Sequence, residues 1–537
     1  MAAEKSVSIG ARLTHMAAIN GGAAMYRFPE LGVTYSRKEF DEKTDSLAAA
    51  FLSKGFGKGS HIGILAPNLP IWLLSFFAAV KIGARAVPFN AAYKAPEIAA
   101  QLKDADADCL IITDGTGARE YADALSELLP QLGEGKISAQ FPCLKTVVYA
   151  GAGETPKGML GLEELLISGK AVDSAQLSAA KAGVSPEEIA AIFYTSGSEG
   201  MAKGVMLSHK NLVNYVLFSD IYLQLNESDR VCNPLPLFHI FSITSVMGCL
   251  SSGTEMVIPT AFQPARLLDV LEKEKCTVLW AVPAILAILR QAGGPGKRDL
   301  SRMRKGVVGG SPASLDILRW GMEELHMPDL LYGWAQTENT CAGVIDYVKN
   351  AVARGKAYAG RDIPYVRFRV ADAAGAPVPD GQVGELCCRG DYVMQGYYKN
   401  PAATAKAIDT EGWLHSGDLA VRDADGCYSI VGRMRDIIIR GGENIMPLEI
   451  ETVLAAHPDV ADAQIVGVPD EIFGEAVCAY VIPKPGVRTD ETFAEKLRGY
   501  CGERLAGFKV PEYIRFTEGF PMNAAGKVMK YVLRAGF

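Results

Sequence analysis

Short apolar runs alternate with amphipathic segments along most of this chain, and that alternation is the feature that most narrows its fold. Between residues 40 and 125, "KEFDEKTDSLAAAFLSKGF" carries its apolar positions at helical spacing, while "HIGILA" and "CLIITD" read as short buried strands. The same rhythm returns in "RVCNPLP", "EMVIP", "TVLWAVP" and "KGVVGG". Buried strands separated by helices predict an α/β fold built in layers. From about residue 360 the texture changes. "PYVRFRVADAAGAPVPDGQVGELCCRG" reads as strands joined by Gly, Pro and Asp turns, which suggests a small antiparallel β unit. Beyond "GRMRD" (432–436) the pattern is mixed again: "PLEIETVLAAHPDV" signals a helix opened by Pro447, and "ADAQIVGVPD" and "EAVCAYVIPK" read as strands. A domain boundary is placed near 433–436.

At 537 residues the chain exceeds one ordinary domain, and 49% hydrophobic with 21% charged residues is the make-up of a globular enzyme. A net charge of −7 offers no broad basic field for nucleic acid. The eleven cysteines form no CxxC pair, and the seven histidines no HExxH, so structural zinc is not expected. Adjacent Cys387 and Cys388 should point to opposite faces of a strand. The N-terminus shows no apolar leader. The longest apolar run, "IWLLSFFAAV" (71–80), is too short for a membrane span and predicts a buried helix. A cytoplasmic enzyme with no integral membrane segment is the expectation.

Residues 193–209, "FYTSGSEGMAKGVMLSH", hold the materials of a phosphate loop. They do not make a Walker A motif: Ala202 precedes Lys203, Gly204 follows it, and "GVMLS" reads as a strand where a helix should open. Anions would have to be held by backbone N–H groups, the hydroxyls of Thr195, Ser196 and Ser198, and Lys203, with Gly197, Gly200 and Gly204 permitting close approach. Glu199, in the middle, is out of place beside a polyphosphate. Taken alone, a polar surface hairpin would look much the same.

Four further segments follow in order: "PLPLFHIF" (234–241), "YGWAQTEN" (332–339), "GWLHSGDL" (412–419) with "IVGRMRDIIIRGGENI" (430–445), and "NAAGK" (523–527). With the loop, they resemble the motif set of the adenylate-forming superfamily, which includes acyl-CoA synthetases, aryl-acid ligases, luciferases and peptide-synthetase adenylation domains. That resemblance implies a large N-terminal domain of mixed α/β layers with a small β-barrel-like unit (1–433), a hinge (434–436) and a small mobile α+β C-terminal domain (437–537).

It also implies residue roles. Lys203 and the loop Thr195, Ser196, Gly197, Ser198 and Gly200 would cradle the β- and γ-phosphates of ATP. Thr337 would sit beside the α-phosphate and Glu338 would hold Mg2+. Gly333, Trp334, Ala335 and Gln336, with Gly310, Ser311 and Pro312 of "GGSPAS", would lie along adenine. Asp418 and Arg433 would take the ribose, and Ile430 would cover the nucleoside. Lys527 would bridge the substrate carboxylate and the α-phosphate, and Arg435 would be the pivot. Arg440, Gly441 and Gly442 would line the CoA path. His239, Ser242, Ser245, Val246, Gly309 and Ala335 would form the acyl pocket. Each also has a plainer role open to it: Trp334 and His239 as core residues, Asp418 as a turn aspartate, Arg440 and Lys527 as solvated charges.

The implied reaction joins a carboxylic acid to CoA at the expense of ATP, through an acyl-adenylate, releasing pyrophosphate and AMP. His239 stands where amino-acid-activating relatives carry Asp, which disfavours an amino acid. Ala335 stands where acetate-specific relatives carry Trp, which favours a longer acid. A medium- or long-chain fatty acid is expected; an aryl or cyclic acid, or loading of a free-standing carrier protein, are the alternatives. A homodimer is compatible with all of these. Glu199 is expected to point out of the phosphate cradle.

Overall fold

A computed structural model describes residues 7–115, 120–134, 140–195, 202–215, 219–355, 358–440, 443–470, 472–522 and 528–537. The chain divides into two compact units, one of residues 1–367 with 389–414 and one of residues 368–388 with 415–537. The boundary between the units falls within a four-stranded sheet.

The first unit holds two eight-stranded sheets. One runs edge to edge as Val344–Tyr347, Asp329–Trp334, Lys305–Val308, Val278–Ala281, Arg230–Cys232, Glu255–Val257, Ala24–Phe28 and Val33–Ser36. Its six inner strands are parallel and the two edges antiparallel. The apolar runs at 230, 255, 278 and 305 are therefore strands, as their composition predicts. Each lies between helices such as Ile240–Ser252, Pro264–Lys273 and Pro283–Gln291.

The second sheet runs Gly396–Tyr397, Lys203–Ser208, Ile189–Thr195, Arg85–Pro88, His61–Leu65, Cys109–Ile112, Thr146–Tyr149 and Leu160–Gly161. "IWLLSFFAAV" forms the helix Pro70–Lys81, buried along nearly all its length. Proline at its first position presets the helical φ where no N–H partner is needed. No helix among the described residues is long and apolar enough to cross a membrane.

The second unit contains most of the four-stranded sheet Val366–Ala371, Val383–Gly390, Leu414–Arg422 and Tyr428–Arg433. Cys387 and Cys388, adjacent in one of its strands, are both fully buried. A five-stranded sheet follows, with Gly474–Pro483 between Val460–Asp470 and Ile438–Arg440, and with Tyr513–Phe516 also paired to it. Helices Pro447–Ala455 and Glu491–Gly502 pack Ile450, Leu454 and Leu497 onto Ile438, Ile465 and Val477. Pro447 opens its helix, as the sequence predicts.

Candidate active site

In an open parallel sheet, ligands gather beyond the carboxyl ends of the strands, where the connecting loops are free to vary. Four neighbouring strands of the first sheet end at Cys232, Ala281, Val308 and Trp334. The segments they release carry "PLPLFHIF", Val282, "GGSPAS" and "AQTEN". Most of the acyl-pocket and adenine residues expected from sequence thus leave one sheet on the same side.

Within this group Gly310 has φ +92°, a left-handed conformation that glycine adopts without strain. The loop after it is pinned by Tyr332, whose hydroxyl accepts from Ala313 N–H at 3.0 Å and donates to Ser311 O at 3.3 Å. Burial pushes the Tyr332 phenol up to about 12, so it stays protonated and able to donate. Thr337 and Glu338 lie in a single turn of 3₁₀ helix, Thr337–Asn339. Thr340 and Cys341 follow with φ +54° each, consecutive non-glycine residues in the left-handed region. The Cys341 N–H donates to Gln336 O at 2.9 Å and closes this tight turn.

His239 caps the helix Ile240–Ser252, its Nδ1 accepting from Phe241 N–H at 3.1 Å. Burial lowers its pKa to about 4, so it is a neutral imidazole at pH 7. Ser242, Ser245 and Val246 are buried on that helix. Ser242 Oγ accepts from Asn233 Nδ2 at 2.6 Å, and Ser245 Oγ donates to Ser242 O at 2.6 Å, so both hydroxyls are satisfied within the protein. Gly309 is buried and closely approached: a Cβ there would lie 3.3 Å from Gly333 O and 3.7 Å from the Phe241 ring.

Strands Ile189–Thr195 and Lys203–Ser208 pair antiparallel with Thr195 opposite Lys203, the two strands read from sequence on either side of the phosphate segment. The Lys203 ammonium stands 5.2 Å over the Tyr397 ring, and Tyr397 Oη donates to Glu338 Oε1 at 2.9 Å. The candidate phosphate cation and the candidate metal carboxylate, far apart in sequence, meet at one aromatic side chain. Of the other loop residues, Ser196, Gly197, Ser198, Glu199 and Gly200 lie outside the described residues, as do Gly441, Gly442 and Lys527.

In the second unit, Asp418 and Arg433 face each other across adjacent strands, Arg433 Nε 2.8 Å from Asp418 Oδ1. Ile430 is half-buried on the strand of Arg433. The turn carrying Asp418 is clamped by Glu385, whose Oε1 accepts from Gly417 N–H at 2.8 Å and whose Oε2 meets His415 Nδ1 at 2.7 Å. Ser416 Oγ accepts from Asp418 N–H at 3.0 Å. Burial first, then the neighbouring Arg433, lower the Arg435 pKa. Arg440 is engaged by Glu512 at 2.7 Å and by Phe508 O at 3.2 Å, with its guanidinium over the Phe473 ring.

Sequence reading misses Tyr332, Glu385 and Tyr397. "GQVGELCC" and "VMQGYYKN" look like ordinary strand and turn, and no spacing rule ties them to residues tens of positions away.

Residues 14–398 match the family of AMP-binding enzymes, and residues 449–527 match the C-terminal domain of AMP-binding enzymes. YngI of Bacillus subtilis is 38% identical, over 94% of this chain and 93% of its own length. The human mitochondrial medium-chain acyl-CoA ligase ACSF2 is 32% identical, over 92% of this chain and 82% of its own. Among solved structures, ATP-bound MatB from Rhodopseudomonas palustris superposes with a TM-score of 0.82 at 26% identity, covering 98% of each chain. The chain belongs to the AMP-binding enzymes, the adenylate-forming superfamily. Within that class it falls in the acyl-CoA synthetase branch and is an AMP-forming acid–CoA ligase.

Proposed function

We propose that this enzyme activates a medium-chain aliphatic carboxylic acid with ATP and transfers the acyl group to CoA. The observation that carries the reading is the meeting of Lys203 and Glu338 at Tyr397. A cation and a carboxylate so placed suit a reaction that joins two anions and expels a third.

In the first half-reaction the acid's carboxylate oxygen attacks the α-phosphorus of ATP, and the bond to the β-phosphate oxygen breaks. Charge grows on the departing pyrophosphate. Lys203 and the loop after Thr195 stabilise that charge, an interaction worth most in the transition state. Thr337 orients the α-phosphate. Lys527 bridges the acid and the α-phosphate and holds the reacting atoms together. Asp418 accepts from the ribose hydroxyls, with Arg433 beside it. Glu338 is a half-buried carboxylate with one oxygen already oriented by Tyr397, an oxygen donor that fits a hard ion such as Mg2+. Bound magnesium would neutralise phosphate charge.

In the second half-reaction the CoA thiolate attacks the acyl carbon and AMP leaves. Residues 434–436 are the hinge that exchanges Lys527 for the "RGGEN" segment, with Arg440, Gly441 and Gly442 along the CoA path. Because Arg440 is paired with Glu512, binding a CoA phosphate there would mean exchanging one anionic partner for another.

The chain-length reading rests on Ala335, a small side chain where acetate-specific relatives carry Trp, and on the medium-chain activity in the human relative's name. Pyrophosphate release over C2–C18 fatty acids, benzoates and cinnamates, with CoA present, tests it. The expected maximum falls on medium-chain acids, with AMP and acyl-CoA formed without any protein partner. A maximum on ring acids would sink the chain-length reading, and a requirement for a carrier protein would sink the role of CoA.

A further inference from the structure

Residues 391–398 carry no motif assigned to catalysis, yet they stitch together the two segments that matter most in the first unit. On one side they continue the sheet. Gly396 and Tyr397 pair antiparallel with Met206 and Val205 of the Lys203 strand. Gln395 N–H donates to Met206 O at 2.9 Å, and Tyr398 N–H to Gly204 O at 2.7 Å. On the other side they grip the Thr337–Asn339 turn. Met394 N–H donates to Glu338 O at 2.8 Å, and Thr340 Oγ1 donates to Tyr392 O at 2.7 Å. Asn211 Nδ2 ties the base of the segment through Asp391 O and Val393 O.

Gly396 makes the bend possible. Its φ is +129°, and a Cβ there would stand 2.8 Å from Thr404 Cγ2. The next residue is held in turn, Tyr397 N–H donating to Thr404 Oγ1 at 2.9 Å. At the centre the Tyr397 side chain touches both functional groups, its hydroxyl on Glu338 and its ring face under Lys203.

We propose that Tyr397 is a positioning residue for adenylation, fixing Glu338 and Lys203 at one separation through its hydroxyl and its ring. This rests on the ligase reading above. Without the hydroxyl, Glu338 Oε1 loses the donor that orients it, and the carboxylate is free to turn away from the phosphates. Without the ring, Lys203 loses the aromatic face beneath it. Neither contact is needed once the acyl-adenylate exists, because pyrophosphate has then left.

The test compares wild type, Tyr397→Phe and Tyr397→Leu in the two half-reactions taken separately. In Tyr397→Phe, kcat for acid-dependent pyrophosphate release should fall about tenfold or more, the effect of losing a hydrogen bond to a charged group. Thioester formation from supplied acyl-adenylate and CoA should stay near the wild-type rate. Binding of Mn2+ to the enzyme–ATP complex, read by electron paramagnetic resonance, should weaken severalfold. Tyr397→Leu should add a further severalfold rise in KM for ATP, about the scale of a lost cation–π contact. Equal loss in both half-reactions would make Tyr397 merely structural and overturn the inference. An unchanged adenylation rate and Mn2+ affinity in Tyr397→Phe would overturn it too, while leaving the ligase reading intact. A wild-type protein without acid-dependent pyrophosphate release would overturn both.

Discussion

Arg433 Nε stands 2.8 Å from Asp418 Oδ1, across two antiparallel strands whose register sets the residues opposite each other. The acid is almost fully buried and the arginine partly exposed. Removing the two partners should therefore have unequal consequences. Arg433→Ala removes the cation paired with a buried carboxylate and should cost about 1–3 kcal/mol of stability. Asp418→Asn removes the buried charge itself and should cost less, yet raise KM for ATP about tenfold by weakening the acceptor for the ribose hydroxyls. Thermal melts and ATP titrations of the two variants check the asymmetry; an unchanged KM in Asp418→Asn would remove the ribose role.

Lys527 should separate the half-reactions by chemistry. As the bridge between two anions it acts only while the acyl phosphate bond forms. Lys527→Ala should lower adenylation by about 10²–10³, the scale of a lost charge-stabilising donor, and leave thioester formation from acyl-adenylate close to wild type. Lys203→Ala should also slow adenylation, with a larger rise in KM for ATP. Glu199→Thr should leave ATP use nearly intact, since the acid is read as pointing away from the cradle. A loss as deep as that of Lys203→Ala would mean that its carboxylate handles metal or phosphate.

The strands at Arg230–Cys232, Glu255–Val257, Val278–Ala281 and Lys305–Val308 are legible in sequence because parallel strands buried on both faces read as continuous apolar runs. The two strands flanking the phosphate segment are legible because glycines and hydroxyls separate two apolar runs. What composition does not reveal is side-chain coupling over distance. Tyr397 reaches Glu338 across 59 positions and Glu385 reaches His415 across 30. A tyrosine in "GYYKN" and a glutamate in "GELCC" carry no periodic signal, so only the assembled sheets reveal them. Arg440 differs in another way: sequence leaves it open as a CoA-path residue or a solvated charge, and the fold pairs it with Glu512.

His209 makes a pH prediction. Its ring is fully buried, Nδ1 accepts from Ile9 N–H at 3.3 Å, and Nε2 has no hydrogen-bond partner among the described residues. Burial pulls its pKa down to about 4, with Glu188 opposing. Above pH ~6.5 the ring is neutral both folded and unfolded, so stability does not change with pH on its account. Below that, the unfolded chain takes up a proton that the folded one refuses. Stability is therefore lost as pH falls from ~6.5 to about 4, by about 3 kcal/mol at most. His239, likewise depressed to about 4, acts in the same direction. Melts of wild type and His209→Asn between pH 7.5 and 4.5 check this: the variant's midpoint should fall less steeply with acid. Parallel curves would exclude His209.

Lys275 offers a stabilising change away from the site. It follows the helix Pro264–Lys273 with φ +53°, exposed, its N–H donating to Glu272 O while Cys276 N–H reaches back to Leu271 O. This is a helix end built for glycine. Lys275→Gly should remove the left-handed cost and raise stability by about 1 kcal/mol without touching kcat. A lower melting temperature would contradict that account.

Ala335 should set how long an acid the enzyme accepts. It follows the strand Asp329–Trp334, which pairs with the strand Lys305–Val308 that leads into Gly309. A tryptophan at 335 would put a large rigid side chain where the acetate-specific relatives carry one. Each methylene of the acid contributes about 1–3 kcal/mol when its pocket is open. Closing the pocket turns that gain into a clash for every acid beyond the first few carbons. Ala335→Trp should therefore lower kcat/KM for medium-chain acids by about 100-fold or more while leaving acetate and propionate within about tenfold of wild type. Pyrophosphate release across the chain-length series reads the result directly. If long and short acids lose activity together, the acyl chain does not pass Ala335, and the pocket lies elsewhere in the first unit.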